Sequence, residues 1–227
     1  MNETPRPALR DGLPPLPERL RALPVDRRGY PIPWFVYTAD DGTRDFRIAD
    51  AAKRVRAVKE KLCWICGGKL GRFLVFAIGP MCAVNRNTSE PPAHRECAEF
   101  AAMACPFLTL PAAQYRRAGL PEDYSVHPHS LPGNPGGVVL WVTYSFKPYR
   151  VPGQPKNWLI EIGPAVEVVW FTHGRLATRD EARALVDARL HLLREVAEHD
   201  GPKSVAALDR QVAEALKWLP AERSVAA

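Results

Sequence analysis

The sequence predicts an α+β fold, and three observations lead to this class. The five cysteines all lie between residues 63 and 105, with a spacing typical of a small metal-binding module. Runs of β-branched and aromatic residues between residues 138 and 171 predict a small antiparallel sheet. Two amphipathic segments between residues 178 and 219 predict a C-terminal helical hairpin.

These features divide the chain into four segments. We expect a Pro-rich extended arm over residues 1–33, and a hairpin, a basic helix and a treble-clef-like metal module over residues 34–110. A loop and antiparallel strands should occupy residues 111–176, and the helical hairpin residues 177–220. No internal repeat is visible.

The arm is predicted from its eight prolines. Proline lacks a backbone N–H and clashes with the preceding helical turn, so no long helix can form there. We expect an extended, partly disordered segment with at most one turn, near Arg19 to Leu23.

A hairpin and a helix are predicted next. Trp34 to Thr38 and Arg44 to Ile48 have strand composition, and Asp41-Gly42 between them is a hairpin signal. Asp50 can cap a helix that runs to about Leu62.

The cysteine-rich segment holds two residue pairs with the spacing of metal ligands. Cys63 and Cys66 form a C-x-x-C-G knuckle, whose thiolates can reach one ion from a tight turn. A short hairpin is expected over residues 69–79. His94 and Cys97 then share a face in the first turn of a helix, because they are three residues apart. Three thiolates and one imidazole are a usual tetrahedral zinc set with no position left for water, so we interpret the site as structural Zn²⁺.

Two other cysteines leave alternatives open. Cys82 or Cys105 could replace His94 as the fourth ligand, although about 12 Å of helix separates Cys105 from Cys97. We interpret both as core thiols, since unpaired cysteine is commonly buried. The same explanation, buried free cysteines, is the alternative for the whole predicted zinc set.

A pair of histidines lies in the long loop. The side chains of His127 and His129 would point the same way in an extended segment and could hold a second metal or move protons. No third ligand is evident, which favours an ordinary surface loop.

Strands and helices complete the predicted elements. Thr178 with Glu181 forms a capping box for a helix ending near Glu198, and Gly201-Pro202 stops it before a second helix over about Ser204 to Leu219. The Gly163-Pro164 pair predicts a tight turn between two strands. The predicted strands are Val138 to Phe146, Trp158 to Ile162 and Val166 to Phe171.

Composition and charge narrow the function. The chain has 227 residues, 46% of them hydrophobic and 25% charged, which excludes collagen-like, coiled-coil and wholly disordered classes. The N-terminus lacks the features of a secretory signal, and the longest apolar run is shorter than the roughly 18 residues needed to span a bilayer. We expect a cytoplasmic protein without membrane contact, whose thiols stay reduced.

The basic residues are concentrated beside the knuckle. Seven basic residues and one acid lie between Lys53 and Arg72, a local excess that equals the formal net charge of +6 of the whole chain. Such a face is an electrostatic footprint for phosphates, and a solvated helix face is the alternative. The candidate nucleic-acid-binding residues are Lys53, Arg54, Arg56, Lys59, Lys61, Lys69 and Arg72.

Four strings carry a resemblance to a known group of proteins: CWICGGKLG, GPMCAVNR, EPPAHRECAEFAAMACPFL and WFTHGRLATRDEA. The chain resembles, from about Gly29 to Pro220, a group of proteins from bacteriophages, prophages and bacterial genomes. The resemblance implies a mobile-element accessory protein with a zinc module, and it implies no activity.

Three functions remain open at this point. The favoured one is a zinc-stabilised protein that binds nucleic acid through the basic face. A module that blocks or recruits a host protein is the second, with the arm and the C-terminal helices as its surface. An enzyme of unidentified class is the third and is less favoured. HNH nuclease chemistry needs a histidine in the hairpin, and residues 69–82 contain none.

Overall fold

The chain folds into helices and small antiparallel sheets, so the predicted α+β class is confirmed. The computed structural model describes residues 7–109, 136–151 and 154–222, and therefore not the histidine pair at 127 and 129. The helices are α1 (Ala51–Glu60), α2 (Pro80–Asn85), α3 (Arg95–Ala104), α4 (Pro106–Thr109), α5 (Arg179–Asp200) and α6 (Pro202–Leu216), with a 3₁₀ turn at Glu18–Leu20. The strands are β1 (Val36–Thr38), β2 (Arg44–Ala49), β3 (Leu74–Ile78), β4 (Asn87–Thr88), β5 (Gly137–Thr143), β6 (Phe146–Val151), β7 (Gln154–Ile162), β8 (Ala165–Thr172) and β9 (Arg175–Leu176).

A long antiparallel ribbon forms the centre of the fold. β5 pairs with β8, and beyond a break β6 continues the pairing with β7. At the break, the N–H of Gly163 donates to the carbonyl of Ser145 over 3.0 Å. A Cβ atom on Gly163 would lie 2.5 Å from that carbonyl oxygen, so the close approach requires glycine. The predicted turn at Gly163-Pro164 is therefore the point where the ribbon passes from one sheet to another. The predicted strand Val138 to Phe146 is interrupted at the same level, because β5 ends at Thr143 and β6 begins at Phe146.

The strand after the knuckle joins this ribbon. β3 pairs antiparallel with β5 along its whole length, from Leu74 beside Thr143 to Ile78 beside Val139. Because β3 is apolar at every position, it needs cover on both faces, and its place in the sheet provides this because apolar residues pack on either side. The hairpin expected over residues 69–79 is consequently wrong, and a single bridge between Leu62 and Lys69 closes the knuckle instead.

The four-stranded sheet, in the order β3-β5-β8-β9, separates two apolar clusters. Alternate side chains of β3 point to opposite faces, so Phe76 packs with residues of α2, α5 and α6. Val75 packs on the other face with Cys63, Cys97 and residues of α3. The sheet therefore supports the cysteine-rich module from behind.

The C-terminal helices begin and end close to their predicted positions. The Thr178 side chain accepts from the N–H of Glu181, and the Glu181 carboxylate accepts from the N–H of Thr178, which is the predicted capping box. Gly201, at a φ of 99°, ends α5 and starts α6. The two helices contact each other and α2.

The described part of the arm is less extended than predicted, because besides the 3₁₀ turn at Glu18–Leu20 it has a second turn that is closed by an antiparallel bridge between Val25 and Pro31. It folds against the cysteine-rich module. Leu20, in the 3₁₀ turn, is only 1% exposed and packs in the cluster that contains Cys63 and Cys97. Arg19 forms an ion pair of 2.7 Å with Glu96 in the first turn of α3.

Within the described ranges, no helix combines the length and the apolar character that crossing a bilayer would require.

Candidate metal centre

The knuckle is a tight turn that points backbone N–H groups at sulfur. The N–H of Cys66 lies 3.4 Å from the Cys63 Sγ, and the N–H of Gly68 lies 3.4 Å from the Cys66 Sγ. Gly67 adopts a φ of 76°, and a Cβ atom there would lie 2.7 Å from the ring of Trp34. The turn therefore requires glycine after the second cysteine, as the C-x-x-C-G pattern predicts.

The second ligand pair reaches the knuckle through a backbone connection. Ala93 forms an isolated antiparallel bridge with Val75, and the carbonyl of Pro92 accepts from the N–H of Trp64 over 3.0 Å. His94 is the N-cap residue of α3, which places Cys97 in the first turn of the helix. The N–H of His94 donates to the Cys63 Sγ over 3.4 Å, so backbone donors from both pairs converge on one sulfur atom.

The four predicted ligands form one cluster. Their ligand atoms all lie within 4.8 Å of one another, and none of the cysteines forms a disulfide. In a tetrahedral zinc site with Zn–S bonds of about 2.3 Å, neighbouring sulfur atoms lie about 3.8 Å apart. The donor set and its dimensions fit a tetrahedral ion and define a candidate metal site. Its members are Cys63, Cys66, His94 and Cys97.

The orientation of the imidazole is fixed from outside the cluster. His94 Nε2 lies 2.8 Å from the carbonyl oxygen of Lys69, and Nδ1 lies 3.3 Å from the Cys66 Sγ. A carbonyl can only accept, so Nε2 carries a proton and Nδ1 is the ring nitrogen turned towards the sulfur atoms. Once Nδ1 has no proton, its lone pair is aimed at the position of the ion, and the outer hydrogen bond to Lys69 holds the ring in that orientation.

The electrostatics of the cluster favour a bound cation. Hydrogen bonding from Cys66, Cys97, His94 and backbone N–H groups lowers the pKa of Cys63 well below its ordinary value. The pKa values of Cys66 and Cys97 are raised, because each faces the Cys63 sulfur and is partly desolvated. A divalent ion would replace this repulsion with attraction to three thiolates.

Two of the predicted nucleic-acid contacts turn inward. The Lys53 Nζ donates to the carbonyl of Val36 over 2.9 Å. The Arg54 guanidinium lies 3.8 Å from the centroid of the Trp158 ring and donates to the Trp158 carbonyl over 2.8 Å. Both residues thus join α1 to neighbouring strands and are half-buried rather than exposed, so they are not part of the exposed cationic face that could meet phosphate.

The other five predicted cations are exposed and form what we call the cationic surface: Arg56, Lys59, Lys61, Lys69 and Arg72. Glu60, the one acid in this stretch, pairs with Arg56 over 3.1 Å, and its carbonyl accepts from the Lys69 Nζ over 2.7 Å. Lys59 and Lys61 form no ion pair with a described residue. The surface runs from the last turns of α1 around the knuckle to the start of β3.

Sequence reasoning missed an aromatic neighbour of this surface. The half-buried Trp34 lies outside β1, and the Arg56 guanidinium is 5.9 Å from its ring centroid. The N–H of Trp34 donates to the carbonyl of Ile65 in the knuckle over 2.7 Å. No local signal could reveal this position, since Trp34 is brought to the knuckle only by the tertiary fold.

The remaining cysteines stay apart from the metal cluster. Cys82 lies in α2 and Cys105 is the C-cap residue of α3. Desolvation raises the pKa of the Cys82 thiol to about 12 and also raises that of Cys105. A thiol that stays protonated at neutral pH is a poor nucleophile, which agrees with the prediction of core thiols.

Residues in or next to the resembling strings join neighbouring elements of the fold. The Tyr149 hydroxyl of β6 donates to the Asn87 Oδ1 of β4 over 2.8 Å. The N–H of Ile162 in β7 donates over 2.8 Å to the carbonyl of Arg86, the C-cap residue of α2. Arg175 of β9 forms a bidentate pair with Glu181 of the capping box of α5.

Comparison with known proteins found no matching family model, no matching curated protein and no matching solved structure.

Proposed function

We propose that this chain is a nucleic-acid-binding accessory protein of the phage or mobile-element kind, stabilised by structural zinc in a treble-clef-like module. The zinc assignment is supported by three thiols and one imidazole within 4.8 Å of one another, a set that leaves no site for water. The treble-clef assignment is supported by a knuckle and a helix start that each supply two ligands, although a bridge replaces the usual hairpin between them. A reducing cytoplasm would keep these thiols available for the ion.

The cationic surface is the observation that carries the nucleic-acid proposal. Five exposed cations follow one another between residues 56 and 72, and the single acid among them is already paired. Clustered cations beside one another raise the local concentration of polyanions and release condensed counterions when they neutralise phosphates. A rigid turn and helix end hold the backbone of these residues in place before binding, so only the side chains must be ordered to make repeated phosphate contacts.

The salt dependence of binding tests this proposal. We would measure fluorescence anisotropy of labelled duplex and single-stranded probes at several KCl concentrations, using the wild type and the variant Lys59→Gln/Lys61→Gln. The slope of log K against log salt should be shallower in the variant by about 1.4 to 1.8, because each lost phosphate contact changes it by about 0.7 to 0.9.

The matched control removes two positive charges elsewhere. Lys203 and Arg210 are exposed residues of α6 on the helical side of the sheet, so Lys203→Gln/Arg210→Gln changes the net charge equally. The control should keep the wild-type slope. Equal slopes for all three proteins, or no binding to any DNA or RNA probe, would refute the proposal. A protein partner that survives nuclease treatment would instead favour the interaction-module alternative.

A further inference from the structure

Two aromatic side chains are exposed side by side at one end of the central sheet. Phe73 directly precedes β3 and Tyr144 directly follows β5, so they flank the last paired residues of the two strands, Leu74 and Thr143. Their side chains are exposed by 53% and 47%, and their ring centroids are 5.3 Å apart at an interplanar angle of 41°. Neighbouring paired strands hold the two rings in position.

An arginine extends this pair towards the cationic surface. The Arg72 guanidinium lies 4.7 Å from the centroid of the Tyr144 ring. Within residues 7–109, 136–151 and 154–222, no carboxylate forms an ion pair with it. Stacking uses one face of the guanidinium and leaves its N–H edges available, and those edges match a phosphate. Arg72 therefore belongs both to the aromatic pair and to the cationic surface.

The exposure of the rings sets them apart from other aromatics of the module. Phe35 stacks on the buried Trp64 at a centroid distance of 4.8 Å and has no comparable free face. Full burial of two large rings would stabilise the fold, and half-exposed rings contribute much less of this burial free energy. Adjacent exposed aromatic groups of this kind mark binding surfaces.

The positive charge beside the two rings indicates which class of ligand this surface binds. A partner protein with an apolar face would meet Arg72 and the neighbouring Lys69 and would have to desolvate them. An unpaired nucleobase stacks on an aromatic ring while its own phosphate meets the cation, which satisfies both kinds of group. In a duplex the base faces are already covered by neighbouring bases, so the rings would gain nothing from double-stranded probes.

We infer that Phe73, Tyr144 and Arg72 form a stacking platform for unpaired bases of single-stranded nucleic acid. This inference rests on the proposed function and specifies its substrate class. Because the platform contacts the base and the phosphate, it is indifferent to the sugar, and single-stranded DNA and RNA should bind alike.

The test compares ring removal with ring retention. We would measure anisotropy of labelled oligo-dT, oligo-U and a blunt-ended duplex without unpaired bases, each about 12 nucleotides per strand, within the range that one small binding surface covers. Tyr144→Ala should weaken binding of both single strands by at least about fivefold at every salt concentration, without changing the salt slope. Tyr144→Phe should bind as the wild type, since the ring is kept. Duplex binding should be the same in all variants.

A control variant separates stacking from general loss of apolar surface. Leu176 is 52% exposed on β9, at the opposite edge of the sheet from β3, and Leu176→Ala should leave every affinity unchanged. Circular dichroism melting would verify that Tyr144→Ala is folded, and Phe73→Ala would replace it if it is not.

The possible negative results distinguish failure of the stacking platform from failure of the cationic surface. If the wild type binds with the expected salt slope but Tyr144→Ala binds equally well, the platform is refuted while the cationic surface stands. Equal loss on duplex and single strands, or a preference of the wild type for one sugar that Tyr144→Ala abolishes, would also overturn the platform. Absence of any binding by the wild type would overturn both ideas.

Discussion

The imidazole Nε2 of His94 lies 2.8 Å from the carbonyl oxygen of Lys69, and this contact turns Nδ1 towards the sulfur atoms of the metal cluster. The carbonyl belongs to the knuckle loop, whereas the histidine begins α3. One hydrogen bond therefore joins the two halves of the candidate site and sets the tautomer of its only nitrogen ligand.

Two substitutions at His94 test whether its imidazole is a metal ligand. We expect His94→Ala to lower metal affinity by more than about tenfold, because even the loss of an outer-sphere partner commonly costs that much. His94→Cys supplies a fourth thiolate and should retain the ion. Cobalt substitution reports both results, since the thiolate-to-metal absorption changes with the number of sulfur ligands. Full affinity in His94→Ala would mean that Cys82 or Cys105 completes the site.

The affinity for the metal ion should depend strongly on pH. Thiols must lose their protons before they bind, and the pKa values of Cys66 and Cys97 are raised in the metal-free cluster. Affinity should therefore rise with pH and protons should be released on binding. Titration calorimetry in buffers of different ionisation enthalpy measures the released protons. A chelator should lower the melting temperature of the wild type, and Cys82→Ser should keep the wild-type stoichiometry.

The capping box of α5 should contribute measurably to stability. Thr178→Ala removes an acceptor for a first-turn N–H and should lower the free energy of unfolding by about 1 kcal/mol. Denaturant unfolding measures this difference, and Thr178→Ser, which keeps the hydroxyl, should restore most of it. An unchanged midpoint in Thr178→Ala would show that the cap is dispensable.

Glu181, the second residue of the capping box, should make the stability of the fold depend on pH. Hydrogen bonding from Arg175 and from the N–H of Thr178 lowers the pKa of Glu181 to about 2, below the value of about 4.3 in an unfolded chain. A lowered pKa stabilises the fold above pH about 4.3, and this contribution is lost as the pH falls towards about 2. The stability gap between wild type and Glu181→Gln should narrow over this interval, and a constant gap would contradict the assignment.

Arg54 should behave as a structural residue. Its guanidinium stacks on Trp158 and donates to the Trp158 carbonyl, so Arg54→Lys should lower the free energy of unfolding by about 1 to 2 kcal/mol. A lysine cannot reproduce the planar stacking together with the hydrogen bond. The salt slope of nucleic-acid binding should stay unchanged in folded Arg54→Gln, which removes the charge. A shallower slope in Arg54→Gln would return Arg54 to the binding surface.

The local features of the site could be predicted from the sequence. The separation of Cys63 from Cys66, and of His94 from Cys97, fixes which side chains share a turn or a helix face, whatever the rest of the chain does. The caps at Asp50 and Thr178 are likewise local, because each bonds an N–H three residues later.

Long-range pairing could not be predicted in this way. The partner of β3 lies more than 60 residues further along the chain, so the apolar run after the knuckle was equally compatible with a hairpin. The inward turn of Arg54 depends on Trp158, over a separation of 104 residues. Basic residues on one helix look equivalent in sequence, and only the neighbouring strands decide which of them reach solvent.

Leu20 lies in the same buried apolar cluster as Cys63 and Cys97, so the amino-terminal arm is packed against the candidate metal site. The apolar contact beneath the ligands and the ion pair of Arg19 with Glu96 both hold the arm to the elements that supply the ligands. Loosening those elements by withdrawing the ion would free the arm as well. We therefore expect trypsin to cleave after Arg19 and Arg21 faster when a chelator is present than when zinc is present.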